Sequence, residues 1–263
     1  MTTPEATLIA VPLSLGAGLP EAWLSPAEAE RAAAYDDGAS RARFLAGRLG
    51  VRFALAAHLG AAAVADPGRI ELAGRCPRCG PSAHGQPLVR WDSETLPLSL
   101  SYSRVDVPVA SGAGGPTRVA SGLTQGWLLV GVAPGDRVLG VDVCAPIDEW
   151  QGIFDDRQVA LLRLLPDALR AREAARRWAL IEARGKAVGH GMVPAPHHRE
   201  VPPAAAERED PVDWGPGRDG AGERFREWAG SLGALGTRIA AVGTEAEAHA
   251  LPSLRAGVVL SPN

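Results

Sequence analysis

Trp178, Glu182 and Lys186 recur at intervals of four residues. An α-helix turning once every 3.6 residues brings all three to one face. Taken alone, a glutamate four residues before a lysine is an ordinary surface ion pair, and a tryptophan one turn earlier is ordinarily packing. Two features point beyond that. Lys186 is the only lysine in a chain whose cations are otherwise all arginine. Upstream, Gly140-Val141-Asp142-Val143 reads as an apolar strand carrying a single acid. An aspartate at a strand end and a glutamate on a neighbouring helix can share a Mg²⁺, which takes one or two carboxylates and fills its other positions with phosphate and water. A lysine one turn beyond the glutamate would meet the same phosphates as a point charge.

These residues need elements to hold them. Val138 to Val143 is apolar enough for a buried strand, as is Trp127 to Val132. A helix from Asp155 stops at Leu165, before Pro166, and Asp167 is expected to cap a long helix running from Ala168 to Ala187. Leu96 to Ser103 alternates as a half-buried strand, and Thr7 to Val11 reads as a first strand. Ser25-Pro26-Ala27-Glu28 carries the signals of a helix start, and apolar periodicity predicts a second helix from Ala39 to His58. Gly74 to Pro87, Ala110 to Gly126 and Pro194 to Gly222 read as loops, rich in Gly, Pro or small polar residues. Glu223 to Ser231 is expected as a short helix, with closing strands at Arg238 to Val242 and Gly257 to Leu260. The fold class is α+β in two similar-sized halves, 1–115 and 116–263, the second carrying Asp142, Glu182 and Lys186.

Gly140-Val141-Asp142-Val143 followed by Trp178-Ala179-Leu180-Ile181-Glu182-Ala183-Arg184-Gly185-Lys186 resembles the signature of Sfp-type 4'-phosphopantetheinyl transferases, Gly-Val-Asp-x-Glu and then Trp-x-x-Lys-Glu-Ala-x-x-Lys. Further pieces fall in the family's order. Arg43-Phe44-Leu45-Ala46-Gly47-Arg48 resembles its N-terminal helix motif, and Gly85-Gln86-Pro87 its Gly-Lys-Pro turn. Leu98-Ser99-Leu100-Ser101-Tyr102-Ser103 resembles its Asn-x-Ser-His-Ser strand, and Arg238 to Val242 its closing strand. The resemblance implies two α/β halves related by a pseudo-two-fold axis, with coenzyme A between them. It implies Mg²⁺ held by Asp142 and Glu182, and a serine of an apo carrier protein as acceptor. Glu182 would take the serine proton, and Lys186 would neutralise the leaving 3',5'-ADP. Arg43, Arg48, Gln86, Ser101, Tyr102 and Lys186 would contact the coenzyme.

The departures cluster at the same place. Cys144 stands where the family has its second strand acid, and a thiol suits Mg²⁺ poorly. Tyr102 replaces a histidine, Gln86 a lysine and Ile181 the lysine before the glutamate; Arg104 could replace the histidine's charge. Extra sequence over 105–125 follows the Ser-Tyr-Ser strand. Three readings therefore stay open: an active Mg²⁺-dependent transferase of polyketide or peptide biosynthesis, the same fold repurposed for a carrier-bound or released intermediate, and a non-catalytic carrier- or coenzyme-binding protein.

Composition excludes other classes. A net charge of −3 with arginines and acids intermixed gives no nucleic-acid stripe, and no apolar run approaches a membrane span. The N-terminus lacks a signal peptide's basic start and apolar run, so a cytoplasmic protein is expected, and a monomer. Three cysteines are too few for a disulfide framework. Cys76 and Cys79 with His84 form a partial zinc pattern that lacks a fourth ligand, and His197-His198 falls in the segment read as a loop. Arg170, Arg172, Arg176 and Arg177 on the long helix read either as a solvated face or as a dock for an acidic carrier protein. Cys144 has no sequence-visible base that would make it a nucleophile.

Overall fold

The computed structural model describes residues 6–76, 80–82, 85–107, 125–150, 152–189, 212–218, 224–232, 238–239 and 245–260. In chain order these give β1 (Thr7–Pro12), α1 (Leu13–Ala17), α2 (Pro26–Ala33), α3 (Gly38–Leu59), α4 (Ala61–Ala65), β2 (Ile70–Cys76), β3 (Gly80–Ser82), β4 (Gln86–Trp91), β5 (Glu94–Thr95) and β6 (Leu98–Asp106). Then follow β7 (Gly126–Pro134), β8 (Leu139–Cys144), α5 (Asp156–Arg163), α6 (Asp167–Ala187), β9 (Val212–Arg218), β10 (Arg224–Ser231), β11 (Arg238–Ile239), α7 (Glu245–Ala250) and β12 (Arg255–Leu260). The architecture is mixed α/β on small, mainly antiparallel sheets. No helix among the described residues is long and apolar enough to cross a membrane.

The first sheet has the order β11-β1-β7-β6, the second β8-β12-β10-β9 and the third β3-β2-β4-β5. β7, on the far side of the boundary expected near 115, lies between β1 and β6, and β11 flanks β1 in parallel. The first sheet thus draws strands from both sides of that boundary. Leu128, Val130 and Val132 turn one way into a core with Val51, Ala54 and Leu55 of α3. Trp127, Leu129 and Ala133 turn the other way, against Val141, Val143, Ala256 and Val258 of the second sheet. This period of two makes β7 the shared wall of two cores, which is why it reads as one continuous apolar run.

Helix starts follow their caps. Ser25 accepts the Glu28 N–H at 3.3 Å, and Glu28 Oε2 accepts the Ser25 N–H at 3.0 Å, a complete capping box. Asp37 caps α3 through Ser40, and Asp155 caps α5 through Gln158. Asp167 does not cap α6. Pro166 occupies that position, and Asp167 lies in the first turn, paired with Arg170 at 2.8 Å.

Three segments differ from their sequence-based expectation. Gly74 to Pro87 is not simply a loop: Ile70 through Arg75 pairs with Trp91 back to Gln86, so ladder bonds override the local breakers. Val212–Arg218, expected within a long loop, is β9. The short helix expected over Glu223 to Ser231 is instead β10, paired with β12 over Arg226 to Ser231 and with β9 on its other edge. That eight-residue stretch is too short to hold a helix by itself, and the free edge of β12 decides it.

Candidate active site

α6 lies directly on the second sheet, and two glycines permit it. A Cβ at Gly140 would sit 1.9 Å from the Ala183 carbonyl oxygen, and one at Gly257 would sit 2.5 Å from that of Ala179. Ala179, Ala183 and Ala187 supply the matching small stripe on the helix, all buried. This close approach carries the side chains on the flank of α6 over the end of β8.

There Lys186 meets Asp142. Lys186 Nζ donates to Asp142 Oδ1 at 2.6 Å, to the Val141 carbonyl at 3.2 Å and to the Tyr102 carbonyl at 3.4 Å. One ammonium thereby joins α6, β8 and β6. Asp142 is only 6% exposed, and Ser103 Oγ also donates to its Oδ1, at 2.5 Å. Burial and the nearby Asp142 charge push the Glu182 carboxyl above its ordinary range, and Lys186 offsets part of that. Burial, then Asp142 and Glu182, push the Cys144 thiol up to about 12. Cys144 therefore stays a neutral thiol, suited neither to a nucleophile nor to a thiolate ligand.

A cleft of about 220 Å³ opens beside this cluster, lined by Gln86, Pro87, Leu100, Ser101, Tyr102 and Lys186 among others. Arg48, on α3, donates to the Tyr102 hydroxyl at 3.1 Å, so both long helices reach Tyr102. Ser101 Oγ accepts the Val141 N–H at 2.9 Å, which ties up that side chain while the residue still lines the cleft. Arg43 is displaced from the cluster: it pairs with Asp106 at 2.5 Å, and Arg104 Nη1 donates to its carbonyl at 2.7 Å. Arg104 thus sits against the start of α3, not at the cleft wall.

Trp178, read as packing, and Ile181, named as a divergent site position, both turn into the core. Trp178 and Ile181 lean on an apolar cluster of Trp150, Phe154, Leu162 and Ala174, and Ile181 also packs against Leu180, Ala183, Ala187, Ala229 and Val259. The arginines of α6 form no continuous solvated or docking face. Arg176 and Arg177 are 4% and 0% exposed and both grip Glu173, at 2.7 and 2.8 Å. Arg170 donates to the carbonyls of Leu162 and Leu165, leaving Arg172 exposed. Cys79, His84, His197 and His198 lie outside the described residues, as does most of the 105–125 segment.

Asp142 and Glu182 are two carboxylates close enough to repel, an arrangement that a divalent cation relieves. Among the described residues no group of three or more His, Cys, Asp or Glu forms a ready-made cage. The donor set fits a hard cation that keeps water and phosphate in its other positions. Sequence reasoning missed Ser103 as a partner of Asp142; the alternating serines of Leu98 to Ser103 were its signal. The sequence matches no family model and no curated protein at a significant level.

Proposed function

We propose that this protein transfers the 4'-phosphopantetheine arm of coenzyme A to a serine of an apo acyl or peptidyl carrier protein, in polyketide or nonribosomal peptide assembly. The observation that carries this reading is the convergence of Asp142, Glu182 and Lys186, from separate motifs, beside a cleft that Gln86, Ser101 and Tyr102 also line. The two long helices, each laid on its own sheet, support the pseudo-two-fold fold of that family. The reading has the protein act as a cytoplasmic monomer.

Asp142 and Glu182 would hold Mg²⁺, whose chemistry is to draw charge from the pyrophosphate. Glu182 would take the proton of the attacking serine hydroxyl. The serine oxygen bonds to the phosphorus that bears pantetheine. The bond from that phosphorus to the bridging oxygen breaks, and its electron pair leaves with 3',5'-ADP. Lys186 keeps its short bond to Asp142, while its two longer contacts, to backbone carbonyls, give way to oxygens of the leaving phosphate. Arg48 fixes the Tyr102 hydroxyl at the cleft wall.

Apo carrier protein, coenzyme A and Mg²⁺ incubated with the protein, followed by mass spectrometry of the carrier, test the proposal. A mass gain equal to the arm is expected, and no gain at high enzyme concentration defeats it. The neutral side chains of Gln86 and Tyr102 favour a second reading, a cleft remodelled away from phosphate. Calorimetry divides its two forms: coenzyme A bound without turnover marks a binding protein, and no binding marks an enzyme acting on another intermediate.

A further inference from the structure

Three serines at alternate positions of β6 reach the segment that carries Asp142. Ser99 Oγ donates to the Arg137 carbonyl, Ser101 Oγ accepts the Val141 N–H at 2.9 Å, and Ser103 Oγ donates to Asp142 Oδ1 at 2.5 Å. β6 and β8 belong to different sheets, so these side chains, rather than a backbone ladder, form the seam between them. The last serine differs from the other two in holding a side chain and not the backbone.

We propose that Ser103 is a positioning residue for the cation-binding carboxylate, a role that rests on the transferase reading above. Ser103 and Lys186 both fall on Oδ1 of Asp142. A carboxylate pinned through one oxygen presents the other, Oδ2, in a fixed direction, and a ligand oriented in advance binds its cation more tightly. A hydroxyl suits this task because it is neutral. It holds the carboxylate by a short charge-assisted bond without cancelling the negative charge that attracts the cation. Lys186 already brings one positive charge to the same oxygen, and a second cationic donor would work against metal binding.

Mn²⁺ titration of the full chain, followed by electron paramagnetic resonance, tests the role without any turnover. Ser103→Ala is expected to weaken Mn²⁺ binding by about tenfold or more. Ser103→Thr, which keeps the hydroxyl, is expected to restore it. Ser103→Cys, similar in size but a weak donor, is expected to follow the alanine variant, and it serves if that variant fails to fold. Ser99→Ala is the control: it removes a buried bond of the same stripe, so it is expected to lower the melting temperature and leave Mn²⁺ affinity unchanged. Wild-type affinity in Ser103→Ala or Ser103→Cys, or an equal loss in Ser99→Ala, overturns the positioning role alone. A wild-type chain that binds no Mn²⁺ overturns both this role and the cation site it serves.

Discussion

α3 and α6 are alike in build and opposite in what their inward charges do. Each is a long helix laid on a sheet through small residues, and each turns ionic side chains inward. On α3, Arg52 is fully buried, yet every direction is answered: Glu28 takes two of its nitrogens at 2.5 and 3.2 Å, and the Ile70 carbonyl takes a third at 3.0 Å. In the first half of α6 it is the acid that is answered, with Glu173 gripped by Arg176 and Arg177. Burial pushes Glu173 up, but the two guanidiniums outweigh it and hold its carboxyl below the usual range. The last turns of α6 break the pattern. Glu182 faces another carboxylate, Asp142, and the one lysine nearby only partly offsets them. Burial of charge is common to all three clusters; only in the third do acids outnumber their cation. In the two scaffold clusters guanidiniums outnumber the acid they hold, whereas the third leaves one acid only partly answered.

The largest effect expected is at the closed cluster of α3. Arg52→Ala leaves the buried Glu28 with only the longer pairing to Arg48 at 3.6 Å and the Ser25 N–H, and should cost about 3–5 kcal/mol of stability, measured by denaturant unfolding. A cost near zero would break the comparison, because Arg52 would then not be the answer to Glu28. Next is Lys186→Ala, expected to lower phosphopantetheine transfer by about 10²–10³-fold. Its melting temperature is measured alongside; a large fall in stability with little change in rate would make Lys186 a scaffold residue like Arg52.

Gly140→Ala sharpens the comparison from the packing side. Its methyl would collide with the Ala183 carbonyl, so α6 must lift, at a cost of about 1–3 kcal/mol. Lys186 should then lose its contact with Asp142, and transfer should fall by more than stability alone explains. The smallest effect on stability is that of Glu182→Gln. A carboxyl whose folded value is raised binds its proton more tightly in the folded state, so its contribution to stability falls as pH rises above the ordinary glutamate value of 4.5. Removing the charge should therefore stabilise the fold at neutral pH, by less than about 1 kcal/mol because solvent screens the group, read as a small rise in melting temperature. Below that value the effect should vanish. Adding Mg²⁺ should shrink the difference between the two proteins, since the cation relieves the same repulsion.

The amino-acid sequence by itself determined the long helices, through their apolar periodicity and, for α3, local caps, and it determined the buried strands around Asp142. It also set Glu182 and Lys186 on one helical face, because that follows from spacing alone. Tertiary structure decided the rest. Whether Arg224–Ser231 became helix or strand depended on the edge of β12, a partner far along the chain. Whether the arginines of α6 were surface or core depended on what covered them: Arg176 and Arg177 lie buried beside Glu173. Ile181, one residue from Glu182, turns into apolar packing because successive helical residues point about 100° apart. The meeting of Lys186 with Asp142 and Ser103 joins residues from three elements. It needs Gly140 and Gly257 to let α6 down onto the sheet, and such a close approach is fixed only once both surfaces are folded.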